Sequence, residues 1–322
     1  MNPYPLRFRP VLKQTIWGGR RLGEQLGKPI GPDDNYAESW EVVDHGADQS
    51  IVDNGPLAGQ SLADVLAEHP NWLLGGAAGV ASFPLLLKYL DCNRVLSVQV
   101  HPDDAYAAKM EPPDRGKTEA WYIVSADPGS LIYAGLQQDV NRSMLQEAIA
   151  AGQTEHVLHA FHPQPGEIVF IPAGTIHALG AGLVVAEIQQ SSDTTFRLFD
   201  WNRIDAEGNA RPLHLQEALE VADYEAGPVK PFRCDPTVGG WQTAVDCSKF
   251  LLRLSQHGTA SIGGDNKFHI LTVPRGAATL QYGEWTETLR TGESRLLPAA
   301  MENCQVTVAE NSAAMATCLP DA

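Results

Sequence analysis

The same turn-and-strand frame is written twice in this chain. In the first copy Gly166 opens an apolar run, Pro172 and Gly174 turn the chain, and His177 begins the return. In the second, Gly292, Pro298, Ala300 and Asn303 stand at the same intervals, with Ala300 in the place of Gly174 and Asn303 in that of His177. Proline cannot donate to a sheet ladder and glycine tolerates positive φ, so together they end a strand and reverse it. A repeat of this kind is one supersecondary unit built twice. It predicts a mainly β chain of two jelly-roll β-barrels with a few short helices. The first, residues 1–227, keeps its histidine. The second, residues 228–322, begins where the composition shifts to short strands and turns, and is a degenerate copy that binds no metal.

Chemistry-bearing residues concentrate just before the first frame. Residues 96–101 alternate apolar and polar, the pattern of a half-buried strand. Side chains alternate faces along a strand, so Ser97, Gln99 and His101 share one face while Leu96, Val98 and Val100 take the other. Pro102 ends the run. Lys117, Glu119 and Trp121 have the same parity if that segment is extended. Most of the ten histidines have no such context. His101 and His177 each sit at a strand end beside a turn, with the carboxylate of Glu119 on a neighbouring strand. Two neutral imidazoles and one carboxylate suit a divalent metal with an open position, and Gln99 could add a fourth oxygen.

Elsewhere the reading is coarser. Residues 61–68, behind Ser61, and 141–151, behind Asn141, read as short helices, as do residues 213–222. Residues 83–90 read as a buried strand, and Trp17 and Trp40 as core tryptophans beside tight turns. Gly116, Lys117 and Thr118 invite a phosphate-loop reading, but that motif needs glycine where this chain has Glu111. Five scattered cysteines without a C-x-x-C pair argue against a disulfide framework or a thiolate zinc site and for a reducing cytosol. The first residues lack the apolar core of a secretory signal, and no run is long enough to span a bilayer. A cytoplasmic protein without membrane, nucleic-acid or obligate protein partners is expected. A formal charge of -16 repels nucleic acid and small anions alike, so an anionic substrate needs a local basic pocket.

The spacing G-x5-P-x-G-x2-H at residues 166–177 resembles the second metal motif of the cupin superfamily, although Ala181 replaces the asparagine of the full pattern. Taken together, the motifs resemble type I mannose-6-phosphate isomerases, zinc-dependent cupin enzymes, and most of all their short bacterial branch. The family's S-x-Q-x-H-P element matches Ser97, Gln99, His101 and Pro102, and its K-x-E element matches Lys117 and Glu119. Its P-x-G-x-x-H-A element matches residues 172–178, and its E-x-x-x-x-S-D…R element matches Glu187, Ser192, Asp193 and Arg197. The likeness runs from about Trp17 to Leu219 and is strongest over residues 83–203.

The resemblance implies one zinc ion per chain on His101, Glu119 and His177 with Gln99. It implies a sugar phosphate as substrate, met by Ser97, Lys117, Asp193 and Arg197. It implies isomerisation through an enediol(ate), with Arg197, Lys117 and Glu187 as catalytic groups; Glu187 and Lys117 are both candidates for the base. Two other readings fit part of the pattern. An Fe(II) oxygenase of the same superfamily would use the two histidines and the carboxylate without needing Lys117 and Arg197. A non-catalytic sugar-phosphate sensor would not need an intact ligand set.

Overall fold

The strand Leu85–Cys92 is buried along its whole length. Its apolar run shows no alternation because both faces of its sheet are covered. The computed structural model describes residues 1–204 and 208–321. In it this strand lies inside a six-stranded antiparallel sheet, ordered Ile168–Ile171, Glu119–Ala126, Leu183–Gln190, Leu85–Cys92, Tyr36–Val42 and Val11–Gly19. A five-stranded antiparallel sheet packs on one face, ordered Leu158–Phe161, Ile132–Leu136, His177–Leu179, Val98–Val100 and Phe196–Phe199. Leu90, Trp121, Ile123 and Val185 from the first sheet meet Ile132, Ala134 and Leu179 from the second. The inner faces thus enclose an apolar floor, with polar residues further along the same strands.

Alternation sends the other half of each central strand outward. Leu87, Tyr89, Tyr122, Ala186 and Ile188 pack against Phe250, Leu252, Phe268, Ile270 and Met315 from the C-terminal part of the chain. That part forms two antiparallel sheets of its own, of five and four strands between residues 242 and 318. Leu271, Val273 and Ala316 on one meet Leu280, Leu289 and Val306 on the other. Tyr89 Oη lies 2.7 Å from Thr272 Oγ1 across the buried boundary. The backbones of Leu6 and Leu296 exchange hydrogen bonds of 2.8 and 3.0 Å, which ties the first residues to the last third.

The repeated frame opens with the same local structure in both copies. Gly166 and Gly292 have φ near +87° and +85°. Their amides donate to Ile123 O and Val273 O, each at 2.8 Å. The following glutamate folds back both times: Glu167 accepts from the amide of Gln164 at 2.7 Å, and Glu293 from that of Arg290 at 2.6 Å.

Helices occupy Leu62–Glu68, where Ser61 and Asp64 form a capping box, and Arg142–Ala150, where Asn141 accepts from Met144 N at 3.1 Å. The helix expected over 213–222 covers Leu215–Val221, with His214 as its non-helical N-cap, whose amide donates to Arg197 O at 2.8 Å. The strand expected from Phe83 starts at Leu85, after Pro84. Arg21–Leu26, Pro70–Leu74 and Asp104–Ala107 are helices too short to show a periodic signal in the sequence. Trp40 is buried against Val43 and Leu86. Among the described residues no helix is long and apolar enough to cross a membrane.

Candidate active site

Three buried side chains converge between the two inner faces. His101 follows the strand Val98–Val100, Glu119 begins Glu119–Ala126, and His177 begins His177–Leu179. The turn places two of them together: Gly174, at φ +87°, donates its amide to the carbonyl of His101 at 2.8 Å. A Cβ at Gly174 would stand 3.1 Å from Val221 O, so both conformation and space require glycine.

Each imidazole is oriented from behind. His101 Nδ1 donates to Thr194 O at 2.8 Å, and His177 Nδ1 donates to Thr175 O at 2.9 Å. Both rings therefore present the Nε2 lone pair to Glu119, which lies 3.6 Å from His101 Nε2 and 3.4 Å from His177 Nε2. One donor atom from each of the three falls within 4.8 Å of the others. Burial, then the neighbouring Lys117 charge, holds the His101 pKa well below the usual histidine value and that of His177 down to about 4. Both rings are thus neutral at physiological pH, the form that can ligate a metal. The donor set already gathers a cation: Lys117 Nζ sits 2.9 Å from His101 Nε2 and is ion-paired with Glu119. Two neutral imidazoles and a buried carboxylate fit a divalent metal. Gln99 turns its amide nitrogen to His177 Nε2 at 3.2 Å, while its oxygen accepts from Ser97 Oγ at 3.4 Å. A half-turn of that amide presents the oxygen instead.

A chain of alternating charge runs from this triad along the six-stranded sheet. Lys117 lies 3.9 Å from Glu187, which pairs with Lys88 at 3.1 Å, and Lys88 pairs in turn with Glu38 at 3.2 Å. Trp121 Nε1 donates to Glu187 at 2.9 Å, and Trp40 Nε1 to Glu38 at 2.7 Å. Burial and the nearby Glu119 charge raise the Glu187 pKa in spite of Lys88. For Glu38 burial acts upward too, but Lys88, the Trp40 indole and Lys117 together outweigh it and the carboxyl is held below its ordinary value. Asp193 is pushed up by burial. These groups line a cavity of about 340 Å³ together with Ser97, Gln99 and Arg197.

Every residue singled out from the sequence as a site residue is in or beside this cavity. Arg197 Nε donates to Ser97 Oγ at 3.2 Å and its Nη1 to Pro212 O at 2.9 Å. Asp200 instead pairs with Arg203 and Arg211. Glu38, Lys88 and Arg211 also line the cavity and were missed. For Lys88 a signal existed, since a lysine within the apolar run of a doubly buried strand needs a buried partner. Glu38 and Arg211 stand in stretches without a motif.

The second frame builds no such site. Glu119 pairs with Ile171, and in the repeat Leu297, the counterpart of Ile171, pairs with His269. A histidine thus replaces the carboxylate ligand, and it is bound to Asp265 at 3.0 and 3.1 Å. Asn303 is exposed and reaches Ser261 Oγ at 3.4 Å. Among the described residues the triad of His101, Glu119 and His177 is the one group of three or more such side chains placed to hold a metal.

The chain is similar to known proteins over most of its length. The family model described as phosphomannose isomerase type I, catalytic domain, matches residues 6–128. The mannose-6-phosphate isomerase ManA of Bacillus subtilis (strain 168) is 36% identical over 301 residues, covering 92% of this chain and 94% of the relative. A mannose-6-phosphate isomerase of Streptococcus mutans is 34% identical over 307 residues, covering 94% of each. The crystal structure of mannose 6-phosphate isomerase from Bacillus subtilis superposes with a TM-score of 0.85 at 31% identity, covering 97% of this chain and 99% of that one. The alignments span 92% or more of the sequence, and the chain belongs to the type I mannose-6-phosphate isomerase family of enzymes.

Proposed function

We propose that this chain interconverts mannose 6-phosphate and fructose 6-phosphate through an enediol(ate), with one zinc ion held by His101, Glu119 and His177 and with Gln99 as a fourth ligand. The observation that carries this reading is the pair of Nδ1-anchored imidazoles aimed at a buried carboxylate, beside a cavity lined by further acids and bases. When bound, the ion supplies positive charge where the sugar oxygens at C1 and C2 become anionic.

The chain's own groups perform the proton transfer. Glu187, whose pKa burial raises although it is indole-bonded and ion-paired, is the proposed base that takes the proton from C2 of the aldose and returns it to C1. The hydroxyl proton moves from O2 to O1 in the same sense, so atoms balance without a redox partner. Lys117, 3.9 Å from Glu187, is the alternative carrier of that proton. Arg197, held by Ser97 and Pro212, offers its remaining donors to the enediolate. Asp193, which lines the cavity, is the proposed acceptor for a sugar hydroxyl. Residues 1–227 carry the chemistry, and residues 228–322 form a metal-free second unit in the cytoplasmic enzyme.

A coupled isomerase assay on purified protein, repeated in deuterated water, tests the proposal. Turnover with deuterium entering the C1–C2 unit is expected. Failure to turn over mannose 6-phosphate, or sugar-dependent oxygen consumption by the Fe(II)-loaded protein above that of Fe(II) alone, would remove it.

A further inference from the structure

Arg211 lines the same cavity as the triad and is held rigidly. Its Nε donates to Asp200 Oδ2 at 2.7 Å and its Nη2 donates to Oδ1 of the same carboxylate. Arg197 is also fixed by two of its three nitrogens, and one acceptor is the carbonyl of Pro212, the residue after Arg211. The two guanidiniums are therefore positioned by one local structure. Arg203 shares Asp200 and donates to Val95 O at 2.6 Å. Among the described residues, one aspartate thus serves two arginines beside a third, a local excess of positive charge in a chain of net -16.

The sheet register sets the scale. His177 pairs with Gln99, and Gln99 pairs with Arg197 on the edge strand Phe196–Phe199. Two strand spacings, roughly 9–10 Å, therefore separate the backbone of the metal ligand from that of Arg197. The segment carrying Arg211 runs along the outer side of that edge strand, where His214 N donates to Arg197 O at 2.8 Å and Arg197 N donates to His214 Nδ1 at 3.2 Å. Arg211 thus belongs to the end of the cavity away from the triad. The separation is comparable to the length of an extended six-carbon sugar with a phosphate at its far end. The cavity's other cations are committed: Lys88 lies between Glu38 and Glu187, and Lys117 is paired with Glu119.

We propose that Arg211 is the phosphate anchor of the substrate site, its Nη1, which has no partner among the described residues, gripping the dianion while the reacting carbons reach Arg197 and the triad. This rests on the isomerase reading above. A planar guanidinium prefixed by Asp200 suits a tetrahedral dianion better than a mobile lysine, since less freedom is lost on binding.

The test compares Arg211→Gln and Arg211→Lys with wild type on mannose 6-phosphate and on free mannose, with inorganic phosphate as competing anion. Arg211→Gln is expected to raise KM for mannose 6-phosphate about tenfold or more with a much smaller change in kcat. Its loss of kcat/KM should be at least about tenfold greater for the phosphorylated sugar than for free mannose. Inhibition by inorganic phosphate should weaken in parallel, and Arg211→Lys should fall between. Circular dichroism and metal content check that each variant is folded. Equal losses on both sugars, or undiminished phosphate inhibition, would overturn the assignment in favour of a structural role through Asp200. If wild type isomerises nothing, the functional reading fails, but weaker thermal protection of Arg211→Gln by inorganic phosphate still supports the anion subsite, and equal protection removes it.

Discussion

The Nδ1 atom of His101 lies 2.8 Å from the carbonyl oxygen of Thr194, 93 positions later in the sequence. That contact decides which ring nitrogen is free. It also makes the segment after Glu187 a support for the ligand at the start of the site, so the motifs on either side of the frame depend on each other structurally.

Removing either imidazole should remove the metal. His101→Ala and His177→Ala are expected to lose bound zinc and isomerase activity together, with circular dichroism unchanged, because the apolar floor does not depend on them. Stoichiometric metal in the His177→Ala protein by elemental analysis would refute the ligand assignment.

Glu187→Gln keeps the shape and the indole hydrogen bond but cannot take a proton. If Glu187 is the base, kcat should fall about 10²- to 10⁴-fold with KM little changed. If Lys117 carries the proton, Lys117→Met should show that fall and Glu187→Gln a much smaller one. Solvent-exchange rates at C1 and C2 distinguish the two.

Arg197→Ala should lower kcat by on the order of 10²-fold or more while raising KM far less, since the charge it meets develops during the reaction. A rise in KM at constant kcat would assign Arg197 to phosphate alone. Normal values of both would leave it a structural residue holding Ser97 and the 212 carbonyl.

Asn303→His should not create a second metal site. The imidazole would stand exposed, and the position matching Glu119 is His269, already bound to Asp265. Metal content should stay at one ion per chain, and a second equivalent would show that the repeat retains more than its frame.

Asp104 gives a pH prediction. Burial acts to raise its pKa, but Lys249 at 2.6 Å, the Gly116 amide at 2.8 Å and Gln190 at 2.8 Å outweigh it, so the folded value is lowered. A lowered folded pKa means that the proton binds more readily to the unfolded chain. The contribution to stability is present above the ordinary carboxylate value and disappears as pH falls through the folded value. Asp104→Asn should therefore lower Tm at neutral pH, with the gap to wild type closing below about pH 4. A gap that persists in acid would show that the side chain acts by shape and not charge.

What the sequence disclosed depended on how each strand is covered. Ser97, Gln99 and His101 were legible because one side of their strand is polar and a proline ends it. The frame at residues 166–177 was legible because its turn needs proline and glycine at fixed intervals. Lys88 went unread although a lysine in such a run is itself a signal, because a strand buried on both faces has no alternation to show which side its charged residues take. Glu38 becomes a cavity residue only when Tyr36–Val42 joins the same sheet. Arg211 reaches the site because its segment runs along a sheet edge, a relation that neighbours in sequence do not encode. The tautomers were also out of reach, being set by the carbonyls of Thr175 and Thr194.

The outward half of the central strands has its own consequence. The residues between Lys88, Glu119 and Glu187 and their sequence neighbours point alternately to the cavity and to Phe250, Phe268 and Met315. Cutting the chain near residue 227 would leave Leu87, Tyr89 and Tyr122 facing water on the back of the very strands that carry the acids and bases of the cavity. Such a fragment would aggregate or shift its acids and bases out of register, even though no reacting atom had been deleted. A gene encoding only the ligand-bearing half would therefore be a poor ancestor or minimal enzyme, and directed evolution of substrate range should vary the cavity rim while leaving that rear seam untouched.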